Sequence, residues 1–178
     1  HRKPSAKIKS LKERINYGQA LTHPEQSYSF KIIYAGIGSI LKAAIIRDFL
    51  IIDTSLYYFH PKSEEEAYYL LGYLNSSVVT NQIQLVGSTG ANGSLRNIHK
   101  HPLNFQIPAF HPESEIQQKI ISHSQDMEKY VNRLISEKIT KNPDIVNHLK
   151  ALQNRIFDDP KYTTLLKKLD ELIIRLML

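Results

Sequence analysis

Apolar and polar positions alternate with period two near the start of the chain. Tyr28, Phe30, Ile32 and Tyr34 are set against Ser29, Lys31 and Ile33, a spacing that predicts a strand with one buried face. Gly36-Ile37-Gly38-Ser39 reads as a turn. A second strand is expected around Ala43–Arg47 and a third over Leu50–Phe59, rich in Ile, Leu and Tyr, with Asp48 at the reversal between them. Three strands with short connections predict a mostly antiparallel sheet.

After Ser63 the spacing becomes helical. Ser63 followed by Glu66 is a capping-box pattern, and it predicts a helix over residues 64–83. Glu64, Glu65 and Glu66 suit the positive end of the helix dipole, and Ala67, Leu70, Leu71, Leu74 and Val78 trace one apolar face. The glycines between Gly87 and Gly93 mark a loop. Residues 95–110 are expected to end in short extended segments at Leu103–Ile107 and around Phe110, with Pro102, Pro108 and Pro112 limiting them to edge positions.

A long helix is expected from Glu115 to about Thr140, started by Pro112 and Ser114, with Ile116, Ile120, Met127, Val131 and Leu134 as its stripe. Asn142-Pro143 is expected to start a second helix, with Ile145, Leu149, Leu152 and Ile156 on one face. Asp159-Pro160 is expected to start a third, carrying Leu165, Leu166, Leu169, Leu172, Ile173 and Leu176. These three helices are expected to pack together or against a partner helix. The fold class is therefore α+β: a small, mostly antiparallel sheet with a packed helix, then a long helix and a C-terminal helical segment. Residues 1–112 would form the sheet-containing domain with a basic N-terminal arm. Residues 113–178 would form a helical spacer and C-terminal helices.

Composition narrows the picture further. A chain of 178 residues with 42% hydrophobic positions can bury a core. The absence of cysteine excludes disulfides and Cys-ligated zinc. No apolar run approaches the ~18 residues of a membrane span, and no signal peptide is visible. The expected location is the cytoplasm, without a membrane partner. The first residue is His1, and we expect the chain to be a piece of a longer protein.

Net charge is +6, and it is unevenly distributed. Residues 1–14 carry Arg2, Lys3, Lys7, Lys9, Lys12 and Arg14 against Glu13 alone. Residues 15–114 sum to about −1 and residues 115–178 to about +2. A basic arm of this kind can hold phosphate by releasing counterions; it can equally be a solvated linker.

Candidate catalytic chemistry is sparse. Gly36 and Gly38 begin a dinucleotide-loop spacing, but Leu41 stands where the third glycine is needed. The Gly87–Gly93 loop lacks the Gly-Lys-Ser/Thr ending of a phosphate loop. His99 and His101 have no nearby third metal ligand. Glu64, Glu65 and Glu66 are adjacent on a helix and cannot converge on one bond. Ser76 and Ser77 have no clear His and acid partners. An adenine methyltransferase holds its flipped base with an Asn/Asp-Pro-Pro-aromatic loop, which neither Asn142-Pro143-Asp144-Ile145 nor Asp159-Pro160-Lys161-Tyr162 matches.

Several segments, in order, carry a resemblance: Asn16 to Thr22, Lys31 to Gly36 with Ala43-Ala44, and Ser55-Leu56-Tyr57-Tyr58. They are followed by Glu66-Ala67-Tyr68-Tyr69-Leu70 with Leu74-Asn75-Ser76, then Arg96 to Lys100, Leu103, Ile107-Pro108 and Phe110. Over roughly 120 residues (15 to about 135) the chain resembles the TaqI-like C-terminal specificity domain. That target-recognition domain occurs in type IIG and type I restriction-modification adenine-N6 DNA methyltransferases. The resemblance implies a sequence-specific DNA-binding domain without catalytic residues of its own. The partners it implies are double-stranded DNA and a methyltransferase domain or subunit. S-adenosylmethionine would bind that companion rather than this chain, and an endonuclease could accompany it. Two segments are candidate readers: Ser39, Lys42 and Arg47 around the hairpin, and Ser94, Arg96, Asn97 and Lys100 after the glycine loop. Arg can pair bidentately with guanine and Asn with adenine. The alternative is a helical assembly module of a multi-subunit restriction-modification complex, self-associating through its C-terminal helices.

Overall fold

A computed structural model describes residues 10–11, 16, 19–53, 55–86 and 98–178. Strands β1 (Lys31–Ala35), β2 (Ala43–Ile46) and β3 (Leu56–Phe59) form one antiparallel sheet in the order β2-β1-β3. Helices α1 (Glu64–Asn75), α2 (Ser77–Val86), α3 (His101–Asn104), α4 (Glu115–Lys141), α5 (Leu149–Phe157) and α6 (Pro160–Met177) follow. The fold is α+β, as the change of hydrophobic period predicts.

Alternation puts Ile32 and Tyr34 on one face of β1, in register with Ile45 and Ala43 of β2 and with Phe59 and Tyr57 of β3. Ile32, Tyr34 and Ile45 join a continuous apolar core with α1 and α4–α6, which includes Tyr69, Leu74, Ile120, Leu169 and Ile173. Asn75 closes the outer edge of β2: its Oδ1 accepts from Ala43 N (2.9 Å) and its Nδ2 donates to Ala43 O (3.0 Å). A side-chain amide thus stands in for a further strand and blunts a pairing edge.

The opposite face of β1 departs from the alternation. Lys31, expected outside, is fully buried. Its Nζ donates to the carbonyls of Gln26 (2.9 Å) and Leu50 (2.7 Å). Gln26 in turn clasps Ile52, donating to its carbonyl (2.8 Å) and accepting from its amide (2.9 Å). These bonds draw residues 50–52 out of the strand expected over Leu50–Phe59, so that only Leu56–Phe59 pair with β1.

The helix expected over 64–83 is two helices. Ser63 Oγ caps α1 by accepting from Glu66 N (3.1 Å), and the Glu66 carboxylate reaches back to Lys62 N. At Ser76 the backbone turns extended. The buried Ser76 Oγ donates to Tyr73 O (2.8 Å) and accepts from Val79 N (3.3 Å), capping α2 as α1 ends. α1 crosses α4 closely at Gly72, where a Cβ would meet Ser124 Oγ, Ile120 Cγ2 at 2.9 Å and Leu169 Cδ1 at 3.3 Å.

The extended segment expected at Leu103–Ile107 is also corrected, because Leu103 lies in the helical turn α3. Pro102 occupies an early position of that turn, where a missing N–H costs nothing. Beyond α4, Asn142-Pro143 opens a 3-10 turn over Pro143–Asn147, and α5 follows. Ile145, Leu152 and Ile156 are buried as expected, whereas Leu149 is exposed. Asp159 caps α6 by accepting from Lys161 N (3.0 Å) and Tyr162 N (2.9 Å).

Candidate nucleic-acid interface

The chain that returns after residue 97 is pinned to the end of β1. The Gly36 carbonyl accepts from both Ile98 N and His99 N, each at 2.9 Å, and Tyr34 Oη donates to His99 O at 2.9 Å. Tyr34 stacks on Tyr57 (5.4 Å between ring centroids), and Tyr57 Oη lies 3.2 Å from His99 Nδ1. Gly36 is required here, since a Cβ would come within 2.6 Å of the Tyr57 ring. His99 takes the left-handed backbone conformation (φ 41°), and Lys100 after it is exposed. A non-glycine residue holds that conformation only where surrounding contacts fix it, and the Gly36 and Tyr34 bonds do so.

This seam brings Ser39 and Lys42 of one predicted reader segment and Lys100 of the other to one end of the sheet. Ser39 and Lys42 lie in the β1–β2 connection that leaves Gly36, and Lys100 follows the pinned His99. Ser39 and Lys100 are exposed, and the Ser39 carbonyl accepts from Gln84 Nε2 at 3.2 Å. Lys42 is half-buried. Its Nζ sits 4.0 Å from the centroid of the Phe157 ring, and burial pushes the amine down to about 8.

Arg47 is not part of this group. It follows β2 at the opposite end of the sheet, roughly 16 Å from Lys42 at the rise of a strand. Its guanidinium donates to Glu128 Oε1 (3.2 Å) and Tyr68 Oη (2.5 Å) and pairs with Glu64 (3.5 Å). Tyr68 Oη donates to Glu128 Oε2 at 2.7 Å. Arg47 therefore ties β2 to α1 and α4. Ser94, Arg96 and Asn97 lie outside the described residues.

The Glu cluster has structural work: Glu64 pairs with Arg47, and Glu66 bonds Lys62 N. Among the described residues no group of three or more His, Asp or Glu side chains is placed to hold a metal, and no helix is long and apolar enough to cross a membrane. Sequence reasoning missed the Tyr34–Tyr57–His99 cluster that builds the seam. Tyr34 stands at an inward position of a period-two segment, but the uniformly apolar and aromatic Leu56-Tyr57-Tyr58-Phe59 run gives no sign of which tyrosine meets it. The His99 contact had no local sign.

No family model matches the chain, and no curated protein matches it.

Proposed function

We propose that the chain is the target-recognition domain of a restriction-modification adenine-N6 methyltransferase, binding double-stranded DNA while a companion domain or subunit performs the chemistry. The observation that carries this reading is the Gly36–His99 seam. It puts the exposed Ser39, in the connection that leaves Gly36, and the exposed Lys100, next to the pinned His99, at the same end of a small sheet. Lys100 and the basic residues of the N-terminal arm supply phosphate contacts, which give affinity and register. Arg96 and Asn97 read base edges in the major groove. In this reading S-adenosylmethionine binds the companion, which flips the target adenine at a cost of a few kcal/mol. Binding at the correct site offsets that cost.

The test is selection from a random duplex pool by the chain joined to its methyltransferase companion, followed by anisotropy titration over a range of salt. The expected result is one enriched site and an affinity that falls steeply as salt rises. An unenriched pool with flat salt dependence overturns the proposal.

A second reading, assembly through the C-terminal helices, is favoured by the exposure of Leu149, Ile174 and Met177. Deleting residues 141–178 is a poor test of it, because Ile145, Leu152, Ile156, Leu169 and Ile173 belong to the core. Surface changes such as Ile174→Glu, read by sedimentation, test assembly without opening that core.

A further inference from the structure

Burial lowers the amines of two lysines among the described residues, Lys31 and Lys42. Lys31 is sealed inside and bonded to two carbonyls. Lys42 instead lines an open cleft of about 300 Å3 between α2 and the α5–α6 corner, with Ile40, Thr80, Asn81, Phe157 and Tyr162 around it. Its Nζ lies over the Phe157 ring, and it enters none of the ion pairs found among the described residues. Of the residues lining the cleft only Lys42 and Tyr162 titrate. Of the carboxylates on the surrounding elements, Asp170 accepts from the Ser77 amide at 2.7 Å, and Asp159 accepts from Tyr130 Oη, Lys161 N and Tyr162 N. Neither of these, nor Asp158, forms an ion pair with Lys42.

We propose that Lys42 is an acyl-acceptor site, the lysine among the described residues most readily modified by activated acyl donors, that is, acyl phosphates and thioesters. The amine lone pair attacks the acyl carbon. A C–N bond forms while the C–O bond of an acyl phosphate or the C–S bond of a thioester breaks. The departing phosphate or thiolate takes the bonding pair, and the amine proton passes to solvent. Three features of the cleft favour this outcome. Burial without a carboxylate partner disfavours the ammonium, so neutral amine is present near neutral pH. The cleft opens to solvent and admits a small acyl group. The product amide is neutral, so it escapes the desolvation cost of the charged amine while its acyl group packs on Phe157. The Phe157 face attracts the ammonium and opposes part of the first effect, but the charge remains without a carboxylate.

This inference stands apart from the DNA reading: a duplex preference could fail with Lys42 reactive, or hold with Lys42 inert. The experiment is timed acetylation of the folded chain by acetyl phosphate, and separately by an acetyl thioester, with each lysine followed by peptide mass spectrometry from pH 6.5 to 10. Lys42 is expected to react on the order of tenfold faster than the median lysine at pH 7.5, and to bend near pH 8 and level off about one pH unit higher while the others keep rising. Selectivity with one donor alone restricts the site to that donor class. A Lys42 rate at or below the median with both donors, or one still climbing with the other lysines beyond pH 9.5, overturns the proposal. In Phe157→Leu the lead should shrink to under about threefold, and an undiminished lead in that folded variant counts against the ring as the seat. Should the variant fail to fold, the pH profile of the unaltered chain decides alone.

Discussion

Arg47, directly after β2, and Glu128 on α4 are 81 residues apart in sequence and 3.2 Å apart in space. Tyr68 of α1 stands between them, touching both. A guanidinium held in this way fastens three elements and is poorly free to enter a groove. Arg47→Ala should therefore reduce stability by about 1 kcal/mol, the scale of a partly exposed pair, and leave duplex discrimination unchanged. Urea unfolding and anisotropy on cognate and scrambled duplexes separate the two effects. Lost discrimination at unchanged stability would restore Arg47 as a reader.

Gly72 sets the distance between α1 and α4. The Cβ of Gly72→Ala would overlap Ser124 Oγ and crowd Ile120. Both belong to α4 in a closely packed interior, where overpacking typically costs about 1–3 kcal/mol. Gly72→Ala should fall in that range by chemical denaturation, even though alanine favours a helix by about 1 kcal/mol. Ser124→Ala removes the nearer obstacle, so the double variant should be more stable than the sum of the two single changes predicts. Strict additivity would mean that the helices separate without cost.

Alkaline pH should first stabilise the protein and then destabilise it. Lys42 has a folded value of about 8 against an ordinary lysine value of 10.5. Below pH 8 both states carry the proton and the folded state bears the desolvation cost. Between pH 8 and 10.5 the folded chain holds fewer protons than the unfolded one, so stability rises with pH. Discounted for partial exposure, the gain is on the order of 1–2 kcal/mol. Tyr69, pushed up to about 12 by burial, and Tyr68, pushed up to about 12 by burial and by its bond to Glu128, act in the opposite sense. Their contribution is intact below pH 10 and is lost as pH rises from 10 towards 12. Urea midpoints should thus reach a maximum between pH 9 and 10, and Lys42→Met should flatten the rising limb. A monotonic decline from pH 7.5 would contradict the placement of Lys42.

How much of this was legible depended on the range of the interaction responsible. The Ser63–Glu66 cap, the buried Ile32–Tyr34 face of β1 and the α6 stripe are local, and each appears where the spacing puts it, whereas Tyr28, expected on the same buried face, is exposed outside the strand. The break at Ser76 also has a local cause, but polar Asn75-Ser76-Ser77 inside a helical stripe is weaker than the stripe itself, so periodicity alone runs through it. The shortening of β3 depends on Gln26 reaching Ile52, and the burial of Lys31 depends on Leu50. Neither partner can be chosen from the sequence. Of the candidate readers, Ser39, Lys42 and Lys100 share an end of the sheet because Gly36 and His99 meet there. Arg47 parts from them because a strand separates its two ends, a consequence of β2 that the pairing of a nearby hairpin position with Arg47 overlooked.

Lys100 provides the sharpest check of the DNA reading. It is exposed, follows the fixed backbone of His99 and has no ion-pair partner among the described residues. A cation on a fixed stem near a duplex contributes chiefly by displacing counterions. Each phosphate so neutralised adds about 0.9 to the slope of log affinity against log salt. Lys100→Ala should therefore weaken cognate and scrambled duplexes by equal factors and lower that slope by about 1. Tyr57→Phe, which removes only the hydroxyl beside His99, should keep the slope and lower affinity less. A Lys100→Ala variant that loses affinity for one sequence alone would make Lys100 a base reader. A variant that loses affinity for none would remove this end of the sheet from the interface.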